Sequence, residues 1–223
     1  MAADLTDVLR RTALLGSVPD AELAALAGAS RVRAVRRGQV VCTTGDPGDT
    51  LIVVLSGRVK VAVRSADGGE LTLVVVGPGG TVGELSVADG GPRSADVETL
   101  EDSRLLLLPR ERVADVCARV PSAAQALAAA VAAALRRLTG AASDLVFLDL
   151  PRRVAKVLLS QPRDDDGVIR PGLSQEELAR QAGGTRQSVN AALRGFERRG
   201  WITTNGRAVT VRQPATLTRF AAP

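Results

Sequence analysis

Ser174-Gln175-Glu176-Glu177-Leu178-Ala179-Arg180-Gln181-Ala182-Gly183-Gly184-Thr185-Arg186-Gln187-Ser188-Val189-Asn190-Ala191-Ala192-Leu193-Arg194 decides the architecture of the C-terminal third. Its first four residues fit a capping box, in which the Ser174 hydroxyl accepts from a helix amide and the Glu177 carboxylate reaches back to the Ser174 amide. A helix therefore starts at Ser174 and runs to Ala182, where Gly183-Gly184 breaks it, glycine accepting the positive φ of a tight turn. Thr185 caps a second helix. Val189, Ala192, Leu193 and Phe196 fall on one face of it and leave Arg186, Gln187, Asn190 and Arg194 on the other. Two helices joined by a glycine turn, the second polar outside, read as a helix-turn-helix. Such a second helix fits the major groove of duplex DNA, where arginine bonds guanine bidentately and Gln and Asn suit adenine. Arg186, Gln187 and Asn190 are expected to read bases, and Thr185 to hold a phosphate.

Immediately downstream, Trp201-Ile202-Thr203-Thr204-Asn205-Gly206-Arg207-Ala208-Val209-Thr210-Val211 places Asn-Gly between alternating β-formers. That is a strong hairpin signal, so the segment reads as a wing with Arg207 at its tip and Trp201 in the core at its base. The expected DNA-facing set is Ser174, Thr185, Arg186, Gln187, Ser188, Asn190, Arg194 and Arg207. Charge agrees: residues 1–149 hold 16 Lys+Arg against 18 Asp+Glu, whereas residues 150–223 hold 13 against 6. The basic excess is confined to the part expected to meet a polyanion. The rival reading is a small helical protein-interaction domain, which gives no account of this second-helix chemistry.

Working back towards the N-terminus, a helix runs through Arg152 to Leu159, with Asp149 a candidate N-cap and Pro151 tolerated in its first turn. Before it, Ser122 to Leu145 contains no proline and a single glycine, Gly140, and reads as one long helix. Val131, Leu138 and Leu145 recur every seven residues, with Leu127, Ala134 and Ala141 as the companion series. This a/d seam is expected to pair two copies of the chain; the alternative is a stripe packed on its own domain. From Arg31 to Pro109, short β-branched runs alternate with glycine punctuation, the pattern of an antiparallel roll. The clearest strands are 51–55, 59–63, 71–76 and 104–108, and a short helix over 19–26 precedes them. The fold class is α+β: an N-terminal antiparallel β-roll over 1–120, a dimerisation helix over 121–146 and a winged helix-turn-helix over 147–223.

Within the roll, Thr81-Val82-Gly83-Glu84-Leu85-Ser86 and Gly90-Gly91-Pro92-Arg93-Ser94-Ala95 form a second constellation. A glycine-bounded turn before a short helix exposes amides to an anion, Arg93 offers a fixed charge for phosphate, and Glu84 is an acceptor suited to a ribose hydroxyl. The competing reading makes Glu84 and Arg93 a structural ion pair.

With its roll, Gly-Glu-Leu, Arg-Ser-Ala, alanine-rich helix, Phe147-Leu148-Asp149 and Thr185-Arg186-Gln187-Ser188-Val189, nearly the whole chain resembles the CRP/FNR family of transcription regulators. The resemblance implies an effector cassette containing Gly83, Glu84, Leu85, Arg93 and Ser94, with Glu84 on a ribose and Arg93 on a cyclic phosphate. Leu138 and Thr139 take the positions that contact the base, and Leu138 departs from the polar residue expected there. The resemblance also implies cyclic AMP or another cyclic nucleotide as effector with no required cofactor, a hinge at Asp149, a homodimer on a near-palindromic operator, and contact with RNA polymerase, for which the loop 161–167 is a candidate, although its residues read first as a solvated acidic loop. Gln187, where the family commonly has Glu, and Ala191, which replaces a basic residue, predict a different operator. Two alternatives remain: a ligand-independent DNA-binding regulator with a vestigial nucleotide site, and a nucleotide-binding module acting on a protein partner.

Histidine is absent and Cys42 and Cys117 stand apart, which removes His-dependent triads, the usual zinc sites and iron–sulfur clusters; no catalytic or metal role is expected. Both cysteines are expected to be buried thiols. The acid-bearing start and the lack of a sufficiently long apolar run predict a cytoplasmic chain without a membrane partner.

Overall fold

The computed structural model describes residues 2–161, 174–205 and 208–222. The chain opens with helices α1 (Ala2–Arg10) and α2 (Asp20–Ala29), followed by β1 (Arg31–Val35), β2 (Val40–Cys42), β3 (Thr50–Ser56), β4 (Val59–Arg64), β5 (Glu70–Val76) and β6 (Thr81–Val82). Helix α3 (Glu84–Asp89) leads to β7 (Asp96–Thr99) and β8 (Ser103–Pro109), then α4 (Arg110–Arg119) and the long α5 (Pro121–Phe147). The remainder is α6 (Leu150–Ser160), α7 (Gln175–Ala182), α8 (Arg186–Arg198), β9 (Ile202–Asn205), β10 (Ala208–Val211) and α9 (Pro214–Ala221).

The eight N-terminal strands form two four-stranded sheets, ordered β1-β8-β3-β6 and β2-β7-β4-β5. The leucine run of β8 lies in register with Leu51–Val54 of β3 and is buried on both faces. Leu105 and Leu107, with Ile52 and Val54 from β3, join Val59 and Val97 in the core between the sheets. Leu106 and Leu108, with Leu51 and Val53, face a second core made with Leu9, Leu14, Leu15, Leu23, Leu26, Val113 and Val116 from the helical segments. Double-sided burial accounts for continuous apolar runs where a one-sided sheet would alternate.

Helices α1, α4 and α9 were not expected from the sequence. All three are short, and periodicity distinguishes such segments poorly before their packing partners are known. Cys117 is buried but Cys42 is only half-buried, at the end of β2, a correction to the expectation of two buried thiols. Burial raises the pKa of both above that of an ordinary thiol.

Contacts divide the chain into two compact units, Met1–Arg64 with Leu73–Arg137, and Ser65–Thr72 with Leu138–Pro223. The division falls inside α5. Among the described residues no single helix is long and apolar enough to cross a membrane.

Candidate effector cassette and DNA-reading surface

In the first unit the turn after β6 carries Gly83 at φ 106°, in the left-handed region, and α3 begins at Glu84. The backbone needs glycine here: a Cβ on Gly83 would stand 2.2 Å from Arg93 Nη1. Likewise, a Cβ on Gly48 would stand 2.3 Å from the Gly91 carbonyl and 2.4 Å from the Ser86 side chain. The two turns therefore close tightly on one another. Arg93 is fixed from its own backbone, its amide donating to the Asp46 carbonyl at 2.9 Å and its carbonyl accepting from the Gly45 amide at 2.8 Å.

Arg93 is 5% exposed, and its Nη2 donates to the Thr50 carbonyl at 2.7 Å and Oγ1 at 2.8 Å. Nε and Nη1 are buried without a hydrogen-bond partner. A guanidinium held this way keeps two directed donors dry and unspent, which is costly unless an anion takes them. Glu84 instead accepts from the Thr81 hydroxyl, so the structural Glu84–Arg93 pair considered from the sequence is not formed. Leu85 and Ser94 are exposed beside this turn. Thus Gly83 and Arg93 meet, with Glu84 next in the chain at the start of α3; Thr81, quoted at the head of the motif without a role, takes the Glu84 carboxylate, and Thr50, outside both quoted motifs, anchors Arg93. Leu138 and Thr139 are exposed on the part of α5 that belongs to the second unit.

Along α5, Leu127 packs partly against the helical core of its own unit, whereas Leu138 and Leu145 are 44% and 43% exposed. Val131, Ala134 and Ala141 are half-buried. Leu135, Val146 and Phe147 are exposed as well, so the latter part of the helix presents a broad apolar face.

In the second unit, Asp149 caps α6 by accepting from the Arg152 amide at 3.0 Å. The capping box at Ser174 is complete, with Glu177 N donating to Ser174 Oγ at 3.2 Å and the reverse bond also made. Gly183 ends α7 in the left-handed conformation at φ 63°. Thr185 then caps α8 through a 3.2 Å bond from the Ser188 amide, so both residues serve the helix start. Val189, Ala192, Leu193 and Phe196 are buried, while Arg186, Gln187, Asn190, Ala191 and Arg194 line a concavity of about 550 Å³. Phe196 stacks on Trp201 with centroids 5.8 Å apart, and Phe220 of α9 lies 5.2 Å from Trp201, which places the tryptophan in this core. Strands β9 and β10 pair antiparallel, Asn205 opposite Ala208; Arg207 and residues 162–167 of the expected loop lie outside the described residues.

Sequence reasoning missed Arg153. Its Nη1 donates to Leu148 O at 2.7 Å, Nε to Ala182 O at 2.8 Å and Nη2 to Gly183 O at 3.2 Å. One side chain therefore satisfies carbonyls at the end of α5 and at the helix-turn-helix corner. An arginine in an amphipathic helix carries no local mark of such partners.

Comparison with known proteins matches residues 32–120 to the cyclic nucleotide-binding domain and residues 152–220 to the Crp-like helix-turn-helix domain. A CRP-like cAMP-activated global transcriptional regulator of Mycobacterium tuberculosis is 34% identical over 223 residues, covering 97% of this chain and all of that one. The chain belongs to the CRP/FNR family of transcription regulators. A cyclic AMP receptor protein of Thermus thermophilus is 35% identical across 83% of this regulator and 85% of its own length. Among solved structures, the c-di-GMP responsive global regulator CLP of Xanthomonas campestris superposes with a TM-score of 0.72 at 26% identity, over 82% of this regulator and 94% of CLP. The regulator is thus a DNA-binding protein with a cyclic nucleotide-binding domain, and not an enzyme.

Proposed function

We propose that the regulator is a homodimer that binds a cyclic nucleotide, cyclic AMP foremost, in the Arg93 cassette and then engages a near-palindromic operator. The buried, unpartnered Nε and Nη1 of Arg93 carry this reading, because they match the demand of an anionic phosphate for directed donors. Glu84 takes the ribose, with Gly83, Leu85 and Ser94 completing the cassette; Leu138 and Thr139 meet the base. The seam of Leu127, Val131, Ala134, Leu138, Ala141 and Leu145 pairs two copies, supported by the exposed apolar residues of α5. Arg186, Gln187, Asn190 and Arg194 face the major groove, and Ser174, Thr185, Ser188 and Arg207 the phosphates.

Nucleotide must bind the DNA-competent arrangement more tightly than the other, or it shifts nothing. Asp149, at the break between α5 and α6, is the hinge through which that preference reaches the DNA-binding unit. Contact with RNA polymerase and a cytoplasmic location follow from the family role. Calorimetric titration of cyclic AMP into nucleotide-stripped protein tests the core of this scheme. Saturable binding that disappears in Arg93→Ala supports it; no heat at millimolar nucleotide rejects it.

A further inference from the structure

The nucleotide reading of the cassette gives Glu84 a role and Thr81 none, although the two side chains are joined. The Thr81 hydroxyl donates to Glu84 Oε1, and among the described residues it is the only hydrogen-bond partner of that side chain. An ionised carboxylate only accepts, so one oxygen is engaged and Oε2 is left for another donor. Thr81 is itself held firmly. It lies in β6 opposite Val53 of β3, and the residues before it are tied to the same strand, the Val54 amide donating to the Gly80 carbonyl at 3.0 Å and the Gly79 amide to the Val54 carbonyl at 2.8 Å. Val82, next in the chain, is buried in the core between the sheets. Gly83 then turns the backbone at φ 106°, and Glu84 reaches back to Thr81, three residues earlier. Thr50, which anchors Arg93, heads the same strand β3. One strand is therefore the frame for both charged groups, through Thr50 for the guanidinium and through Thr81 for the carboxylate. A β-branched threonine is stiff at χ1 and keeps its hydroxyl in one direction, whereas an untethered glutamate samples many rotamers.

We infer that Thr81 is a positioning residue for the effector: it fixes the Glu84 carboxylate before nucleotide arrives, leaves Oε2 for a single sugar hydroxyl, and so sets the preference of the site for ribonucleotides over 2′-deoxyribonucleotides. This deepens the cyclic-nucleotide reading above and rests on it. Ordering a flexible side chain on binding costs roughly a factor of five in affinity, and a carboxylate fixed beforehand avoids that cost. A 2′-deoxy nucleotide has no hydroxyl to offer Glu84 and gains nothing from the arrangement. The cyclic phosphate is the same in both nucleotides, so the Arg93 contact does not distinguish them.

The test is calorimetric titration of full-length, nucleotide-stripped wild type, Thr81→Val and Thr81→Ser with cyclic AMP and with 2′-deoxy cyclic AMP. Wild type is expected to bind cyclic AMP about thirtyfold more tightly than the deoxy analogue, as for one hydrogen bond to a charged acceptor. In Thr81→Val, which keeps the shape and removes the hydroxyl, that ratio is expected to fall roughly fivefold, through weaker binding of cyclic AMP alone. Thr81→Ser is expected to restore it. Equal weakening of both nucleotides in Thr81→Val overturns the inference, since that is a structural role in the turn. An unchanged ratio overturns it, and so does an increased one, which means that the threonine competes with the ribose for Glu84. If wild type binds both nucleotides equally and Arg93→Ala binds neither, the phosphate cassette stands and the positioning role falls. If wild type binds neither nucleotide, the cyclic-nucleotide reading itself fails and takes this inference with it. Both nucleotides are measured on one protein sample, so a reduced folded fraction cancels from the ratio; should the Val variant not fold, Thr81→Ala gives the same readout.

Discussion

The cassette around Arg93 and the joint around Arg153 use the same guanidinium in opposite ways. Arg93 makes its bonds through one nitrogen, to Thr50, and leaves Nε and Nη1 buried and unpartnered. Arg153 distributes Nε, Nη1 and Nη2 over three carbonyls and has an internal partner for each. The half-buried Arg153, with its donors spent, is structural; the idle buried donors of Arg93 are what the proposed nucleotide site rests on. The two regions therefore predict opposite responses to the same substitution.

The sharpest contrast concerns Arg93→Ala. Nucleotide affinity is expected to fall at least a hundredfold, about 2.7 kcal/mol, while thermal stability stays close to wild type because idle buried donors are removed along with the Thr50 bonds. Gly83→Ala, which forces a Cβ against Nη1, is expected to lose binding likewise. An Arg93 variant of markedly lower melting temperature that still binds nucleotide would erase the distinction between the two arginines. Arg153→Ala is expected to do the reverse, lowering the stability of the DNA-binding unit by about 2 kcal/mol with nucleotide affinity retained. Urea unfolding followed by fluorescence reads this directly, since Trp201 is the sole tryptophan and the chain has no tyrosine.

A smaller effect sharpens what capping contributes near that joint. Ser174→Ala removes the acceptor for the Glu177 amide and is expected to cost about 1 kcal/mol in the same unfolding experiment. Smallest is the acid response of the first unit. The Thr44 amide, then the Thr44 hydroxyl and Arg64, hold the Asp96 carboxyl below the usual carboxylate range. Its contribution is present above the unfolded-state pKa near 4 and is lost as pH falls through the lower folded value. Circular dichroism melts at pH 7 and pH 3 should show a smaller loss on acidification for Asp96→Asn than for wild type.

Much of the architecture was legible beforehand because its signals are local. The Ser174 box, the Gly183 corner, the Thr185 cap and the Asn205-Gly206 turn each act within a few residues, and the described ones appear where the sequence places them. Glycine punctuation marked the roll in the same way. Helices α1, α4 and α9 were not legible, since their identity depends on which core receives them.

By itself, the sequence determined the order of roll, long helix and winged helix-turn-helix, and it brought Gly83, Glu84 and Arg93 forward as a set. Only the tertiary structure decided that Glu84 is taken by Thr81 and not by Arg93, that Thr50 anchors the guanidinium, and that Arg153 spans two helix ends. The physical reason is range: caps, turns and periodicity are set by neighbours along the chain, whereas a side chain's hydrogen-bond partners are set by what folding carries to it, here from 43 residues away for Thr50 and 29 for Ala182.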